Sequence, residues 1–381
     1  MNIILATDAV TPPLTGIGRY TWELGTRLPA LVAPDTLRFI SRGRWVDTLA
    51  TQLTPAPARA AIRRSVLRSR LAAMAYALIW PVVMRQRLRR VPDSLYHGTN
   101  FYIPPGADRA VATFHDLSIY RYPEFHPASR VEFMQRAIPA SLKRADFLIT
   151  VSEFTRREVL DYFGWPQDRI RAIPLGVTAH YHPHSAQQTQ ATLAPLGLQH
   201  GQYALCTATI EPRKNIERLL QAYALQPIAD RRRYPLVLAG GRGWNDAQLI
   251  QRIAAAQAEG WLHHLGYVDQ SLLPQLIAGA RCFIFPSLYE GFGLPVLEAM
   301  ASGVPVVTAD CASLPEVAQG AALLVNPLEL ESIAAGITRA LQDDDWCHHA
   351  VAAGLRVAAG YSWDKTAQQT VEVYRQIGAM R

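Results

Sequence analysis

The chain has 381 residues, 49% of them apolar and 18% charged. That balance excludes a disordered polypeptide, and the length exceeds the roughly 250–300 residues at which a single core stops growing, so two domains are expected. The net charge of +7 is uneven, because residues 1–175 hold 24 Lys and Arg against 14 Asp and Glu, whereas residues 176–381 hold 14 against 17. An anionic partner or surface is therefore expected on the first half alone.

In chain order, apolar runs alternate with helical patterns. "NIILATDAV" opens as a strand, with no signal peptide expected before it. "LRFIS", "SLYHGTN", "AVATFHDL" and "DFLITVS" follow, separated by helical stretches such as Arg19–Leu31 and Arg130–Arg144. A second series runs "YALCTAT", "LVLAGG", "WLHHLGYV", "CFIFPS", "PVVTAD" and "ALLVNP". Strand–helix alternation builds parallel sheets covered on both faces, so the fold class is α/β with two doubly wound, Rossmann-like domains. The expected division is 1–175, a linker at 176–189 within the polar, Pro-rich "IPLGVTAHYHPHSAQQTQ", and 190–361. Helix 362–381 either extends the second domain or packs back on the first.

Between Asp47 and Asp93 no acid occurs, yet there are nine arginines: Arg59, Arg63, Arg64, Arg68, Arg70, Arg85, Arg87, Arg89 and Arg90. They flank "LAAMAYALIWPVVM", which is shorter than the ~20 residues of a membrane span. Such a segment suits an anionic membrane surface, and the alternative is a core helix with solvated basic ends. The four cysteines, Cys206, Cys282, Cys311 and Cys347, show no Cys-x-x-Cys spacing and read as reduced, buried thiols of a cytosolic protein.

Chemistry-bearing residues collect where strands end, the edge at which open α/β sheets place ligands. Gly16 and Gly18 in "TPPLTGIGRY" form a turn that a phosphate or sugar could approach, but Thr21 replaces the third glycine of a dinucleotide fingerprint. His115 and Asp116 follow "AVATF", and His97 and Asn100 follow "SLY". In "TIEPRKN", Arg213 and Lys214 precede a helix, where two cations oppose the helix dipole, so an anion such as a diphosphate is expected there. Gly240 and Gly241 strip another strand end of side chains, and "GYV", ending at Val268, offers backbone groups to a nucleobase. In "SLYEGFGLPVLEAM", Glu290 precedes the turn Gly291-Phe292-Gly293-Leu294, Pro295 suits the first helical turn, and Glu298 falls about one turn inside. Helix-dipole complementarity could explain Glu298 but not Glu290 with its paired glycines.

This arrangement resembles the family 4 glycosyltransferases of GT-B fold, whose Glu-x7-Glu signature reads here Glu290 to Glu298. "TGIGRY", "FHDL", "ITVSEFTRREV", "EPRKN", "GGRGW", "GYV", "SLPEV" and "ALLVNP" extend the likeness over nearly the whole chain. Within the family it looks most like bacterial mannosyl- and rhamnosyltransferases that build polysaccharides such as O-antigen. The resemblance implies two domains facing across a cleft, a nucleotide-sugar donor (GDP-linked rather than UDP-linked), retention of anomeric configuration, and a lipid-linked oligosaccharide acceptor at the inner face of the cytoplasmic membrane. It implies that Arg213 and Lys214 hold the diphosphate, Glu290 and His115 contact the sugar, and Glu298 contacts the ribose. By the same resemblance Gly16 and Gly18 pack against the phosphates. His97 and Asn100 are candidates for acceptor or sugar contact, the alternative being a structural role, and Asp116 is a further acceptor candidate.

No metal or other cofactor is expected. "QDDDW" follows a helix rather than a strand, and "AHYHPH" lies in the expected linker. The alternatives are a nucleotide-sugar epimerase of the same architecture and a basic nucleic-acid binder. The latter is disfavoured because the basic half lacks interleaved aromatics.

Overall fold

The computed structural model describes residues 1–53, 80–241 and 247–380. Two compact units emerge, Met1–Leu175 with Trp363–Arg381, and Gly176–Ser362.

The first unit carries a seven-stranded sheet of order β3-β2-β1-β4-β5-β6-β7. Its strands are β1 (Asn2–Ala6), β2 (Leu37–Ser41), β3 (Arg44–Val46), β4 (Ser94–Gly98), β5 (Arg109–Phe114), β6 (Phe147–Thr150) and β7 (Ile170–Ala172). All neighbours are parallel except β2 and β3. The central strands are apolar without alternation because helices cover both faces; every residue of β4 and β6 is buried. The β2–β3 hairpin closes through Arg42 (φ 50°) and Gly43 (φ 68°), the doubly left-handed turn whose twist matches two-residue hairpins. Asp8 steadies it by accepting the Arg42 N–H at 2.6 Å.

The closing helix, Trp363–Ala379, belongs to this first unit. Trp363, Ala367, Val371, Tyr374 and Ile377 recur at helical spacing and are buried, while the Thr366 hydroxyl donates to the Pro174 carbonyl at 2.8 Å.

The second unit holds an all-parallel sheet of order β10-β9-β8-β11-β12-β13. The strands are β8 (Ala204–Thr207), β9 (Leu236–Ala239), β10 (Leu262–Gly266), β11 (Cys282–Phe285), β12 (Val306–Ala309) and β13 (Leu323–Val325). The linker expected at 176–189 is corrected: these residues belong to the second unit. They include the start of helix Ala186–Leu193, fixed by a capping box in which Ser185 and Gln188 exchange bonds. Only Ala186–Thr189 of the segment are helical, and the residues before them are turns and irregular chain within the second unit.

In each sheet the chain moves outward in one direction, then returns to the centre and proceeds in the other. The reversal lies between β1 and β4 in the first unit and between β8 and β11 in the second. Doubly wound sheets bind ligands at the carboxyl ends of such strand pairs.

Candidate active site

At the reversal in the second unit, β8 runs through Ala208 to Glu211 and a 3-10 turn, Pro212–Lys214. Asn215 then adopts φ 58°, a conformation asparagine tolerates, and opens helix Ile216–Ala224. Its amide Nδ2 donates to the carbonyls of Pro286 (3.0 Å) and Pro327 (2.7 Å), fastening the turn to the neighbouring β11 loop. The Leu288 N–H reaches back to the Arg213 carbonyl at 2.8 Å.

Beyond β11, Ser287 to Gly293 form the second loop, and Gly293 caps helix Leu294–Ala301 with Pro295 in its first turn. Glu290 is 8% exposed and sits at the centre of the cluster. Its Oε2 accepts from Arg213 Nη1 at 2.9 Å; its Oε1 accepts from Lys214 Nζ and Ser287 Oγ, both at 2.6 Å. Arg213 also donates from Nη1 to the Tyr289 carbonyl (2.7 Å) and from Nη2 to Glu211 Oε1 (2.9 Å). Lys214 Nζ lies 5.1 Å from the centre of the Phe285 ring. Burial alone would raise the Glu290 pKa, but Arg213, Lys214 and the Ser287 bond outweigh it and hold the carboxyl at about 2. The acid is therefore ionised at neutral pH.

This corrects the charge argument made from sequence. Arg213 and Lys214 stand on a separate turn before the helix, and their counter-anions are the chain's own Glu290 and Glu211. The turn Gly291-Phe292-Gly293 is buried. The Phe292 ring packs edge-on against Tyr361 at 5.9 Å, so its side chain is structural. Ser313 Oγ donates to the carbonyls of both Glu290 and Phe292 at 2.8 Å, locking the loop. Leu294 begins the helix, and Glu298 lies half-buried one turn along it.

Gly240 is required by packing. A Cβ there would stand 1.8 Å from the Ala208 carbonyl oxygen, and its N–H already donates to Gly266 at 2.7 Å. Among the described residues, Gly241 has open space at the same position, although its carbonyl accepts from Ile210 at 3.0 Å. Val268 is half-buried in the loop after β10.

In the first unit the helix after β1 begins at Gly16, three residues before the expected start. The Gly18 N–H is taken by the Thr15 hydroxyl (3.3 Å), and a Cβ on Gly18 would approach the Ala9 carbonyl to 2.7 Å. Gly18 is thus a packing glycine, while Gly16 faces open space. His115 is half-buried, with its ring edge-on to Tyr20 at 5.0 Å. Its Nε2 must donate to the Thr99 carbonyl (2.8 Å), which leaves Nδ1 as an acceptor. Burial lowers its pKa, against the opposing effects of that bond and of Asp116.

The acceptor assignment of His97 needs revision. His97 is fully buried, bonded through Nδ1 to the Tyr374 hydroxyl (2.6 Å) and through Nε2 to Thr113 Oγ1 (2.8 Å). Burial, with His115 adding to it, depresses its pKa to about 3, so it is a neutral core histidine that fastens the closing helix. Asp116 Oδ1 accepts the Ser118 N–H (2.9 Å) and hydroxyl (2.7 Å), setting the turn after β5. Asn100 Oδ1 accepts the N–H of Phe101 at 2.9 Å.

Sequence reasoning left Glu211, Ser287 and Ser313 out of the site. A serine three positions before Glu290 and an acid two before Arg213 were the available signals. The cysteines are all free. Cys311, beside the cluster, is pushed up to about 11 by burial and by Glu290 and Asp310, so it remains a thiol.

Two family models match the chain: Glycosyltransferase Family 4 over residues 14–181 and Glycosyl transferases group 1 over residues 195–356. O-antigen chain mannosyltransferase B of Escherichia coli is 42% identical over 379 residues, covering 98% of this chain and 100% of that one. The serotype-specific mannosyltransferase WbdA of Escherichia coli is 31% identical over 304 residues, 75% of this chain but only 37% of that larger protein. Among solved structures, sucrose-phosphate synthase from Thermosynechococcus elongatus gives a TM-score of 0.71 at 22% identity, covering 100% of both chains. HepE from Anabaena, in complex with UDP and glucose, gives 0.73 at 17%, covering 99% of this chain and 100% of that one. Both likenesses bear on the fold alone. With two Rossmann-like units, a Glu-x7-Glu pair at one sheet reversal and a match over its whole length, the chain belongs to the family 4 glycosyltransferases of GT-B fold.

Proposed function

We propose that the enzyme transfers a mannosyl group from GDP-mannose, with retention of configuration, to a lipid-linked glycan in O-antigen assembly. The observation that carries this reading is the Glu290–Arg213–Lys214 cluster at the reversal of the second sheet; the choice of mannose and of O-antigen follows the 42% identical relative. Cleaving the sugar–phosphate bond places negative charge on the leaving diphosphate and positive charge on the ring. Arg213 and Lys214 are the fixed charges for the former, and the ionised Glu290 can orient hydroxyls beside the latter. His115 Nδ1 offers a further acceptor to a sugar hydroxyl. In a retaining transfer the C1–O bond to the diphosphate breaks as the acceptor oxygen bonds to C1 on the same face. The departing phosphate oxygen takes the acceptor's proton.

Because two side-chain cations fill the role of a bound ion, transfer should persist in EDTA. The test is transfer of labelled sugar from GDP-mannose, set against UDP-, ADP- and dTDP-sugars. Binding of none of these would refute the reading, and turnover of another donor alone would reassign it.

The anionic partner expected by the first half is proposed to be a membrane surface. Arg59 to Arg70 and most of the apolar segment lie outside the described residues. Arg38, Arg44, Arg85, Arg87, Arg89 and Arg90 form no ion pair among the described residues, and Trp45 is 40% exposed with Arg38 6.0 Å from its ring. No helix among the described residues is long and apolar enough to cross a membrane. Flotation with anionic vesicles should carry the enzyme in low salt and release it in high salt. Replacing Arg87, Arg89 and Arg90 with Ala should weaken flotation, and unaltered flotation would remove this surface from the proposal.

A further inference from the structure

Arg213 has two carboxylate partners, and they differ in what happens to them during turnover. Glu290 is shared: it serves Arg213, Lys214 and Ser287 at once. A diphosphate entering the cluster brings oxygens that compete for the two cations, and the sugar competes for Glu290. Glu211 is shared with neither. It is 8% exposed, lies at the head of the 3-10 turn, and binds Arg213 through Nη2, whereas Glu290 binds it through Nη1. The backbone of this turn is independently secured, by Lys214 N–H to the Glu211 carbonyl (3.0 Å) and by the Asn215 amide bonds. Glu211 is therefore not needed to hold the main chain. A buried ion pair is also a poor source of net stability, because desolvation offsets its attraction.

We infer that Glu211 is a positioning residue that keeps the Arg213 guanidinium aimed at the donor's diphosphate when that diphosphate displaces Glu290 from it. The inference rests on the donor-binding reading above. Arg213 and Lys214 already face Glu211 and Glu290, so the diphosphate meets cations that are paired rather than bare. It exchanges with Glu290 on cations already in place. With Nη2 anchored, Nη1 can change partner without the side chain swinging away. Without Glu211, the guanidinium would follow either Glu290 or the phosphate, and its geometry on the phosphate would be lost.

The experiment measures kcat and KM for GDP-mannose, and inhibition by inorganic pyrophosphate, in the full chain. The variants are Glu211→Gln, Glu211→Asp, Arg213→Ala and the double variant Glu211→Gln/Arg213→Ala. Glu211→Gln should raise the donor KM and the pyrophosphate inhibition constant about tenfold, the scale of one oriented, charge-assisted hydrogen bond. Glu211→Asp should recover part of that loss, and Glu211→Gln should add nothing in the Arg213→Ala background. A parent-like KM, losses that multiply in the double variant, or a loss that merely follows the folded fraction would each overturn the assignment. If the parent enzyme itself binds no sugar nucleotide, the functional reading fails instead, and the two failures are distinct.

Discussion

Glu290→Gln is expected to lower transfer about 10²–10³-fold, the range seen when one transition-state contact is removed, while holding nucleotide more tightly than the parent enzyme. The second half of that expectation follows from the occupied state of the cluster. In the parent, a diphosphate must draw Arg213 and Lys214 away from a carboxylate at 2.9 and 2.6 Å. In the variant, Arg213 keeps Glu211, but both cations have lost the charge of Glu290, and the diphosphate replaces it. The empty variant should be less stable by about 3–5 kcal/mol, the usual cost of leaving buried charge unpaired, and GDP or pyrophosphate should restore much of it.

The same residue sets a pH dependence. Its carboxyl is depressed from 4.5 to about 2 in the folded protein. The resulting stabilisation, about 3 kcal/mol, is fully present above the unfolded value and is lost as pH falls through the folded one. Glu290→Gln should flatten the stability profile between those two values. Thermal unfolding across pH, with and without GDP, checks the stability loss, its restoration and the flattened profile, and a transfer assay checks the rate. Near-parental transfer together with unchanged nucleotide affinity would remove Glu290 from the site.

Gly240→Ala should be the most damaging small substitution in the second unit. The added methyl would overlap the Ala208 carbonyl at 1.8 Å, and both positions are backbone at strand ends, so neither can rotate away. A cost of about 3 kcal/mol is expected from overpacking of this kind. Activity should fall beyond the folded fraction, because Ala208 leads within three residues to Glu211 and the Arg213–Lys214 turn. Gly241→Ala is the control: no described residue lies within 4 Å of its Cβ position, so its stability should stay within about 0.5 kcal/mol of the parent. Urea unfolding of the two variants distinguishes packing from access. A parent-like midpoint for Gly240→Ala would contradict the account, whereas a loss of donor affinity confined to Gly241→Ala would place that glycine against the ligand.

Much of the two-sheet architecture was legible because buried parallel strands are written as short apolar runs, and eleven of the strands coincide with such runs. Strand β3 escaped because "RWV" is three residues long, charged at one end and exposed along most of its length. Strand β7 is equally short and only one of its residues is buried. The 176–189 error has a different origin: polarity marks turns and a capped helix start within a domain as readily as a linker. Within the site, Arg213, Lys214 and Glu290 stood out by type and spacing, but their mutual pairing did not. Which charges neutralise which depends on β8 and β11 being adjacent, and no local pattern records that adjacency. His97 misled for a related reason: a histidine at a strand end looks like a ligand contact until the Tyr374 hydroxyl, 277 positions later, is found beside it.

That late partner bears on how the protein is made. The first unit needs Trp363–Ala379 to cover Tyr20 and His97, whereas the second unit is continuous from Gly176 to Ser362. On the ribosome, where domains form as they emerge, the unit begun first is finished last. It must wait with an incomplete core while the nucleotide-sugar half is synthesised, and a chain that stops some twenty residues early would lose its beginning rather than its end.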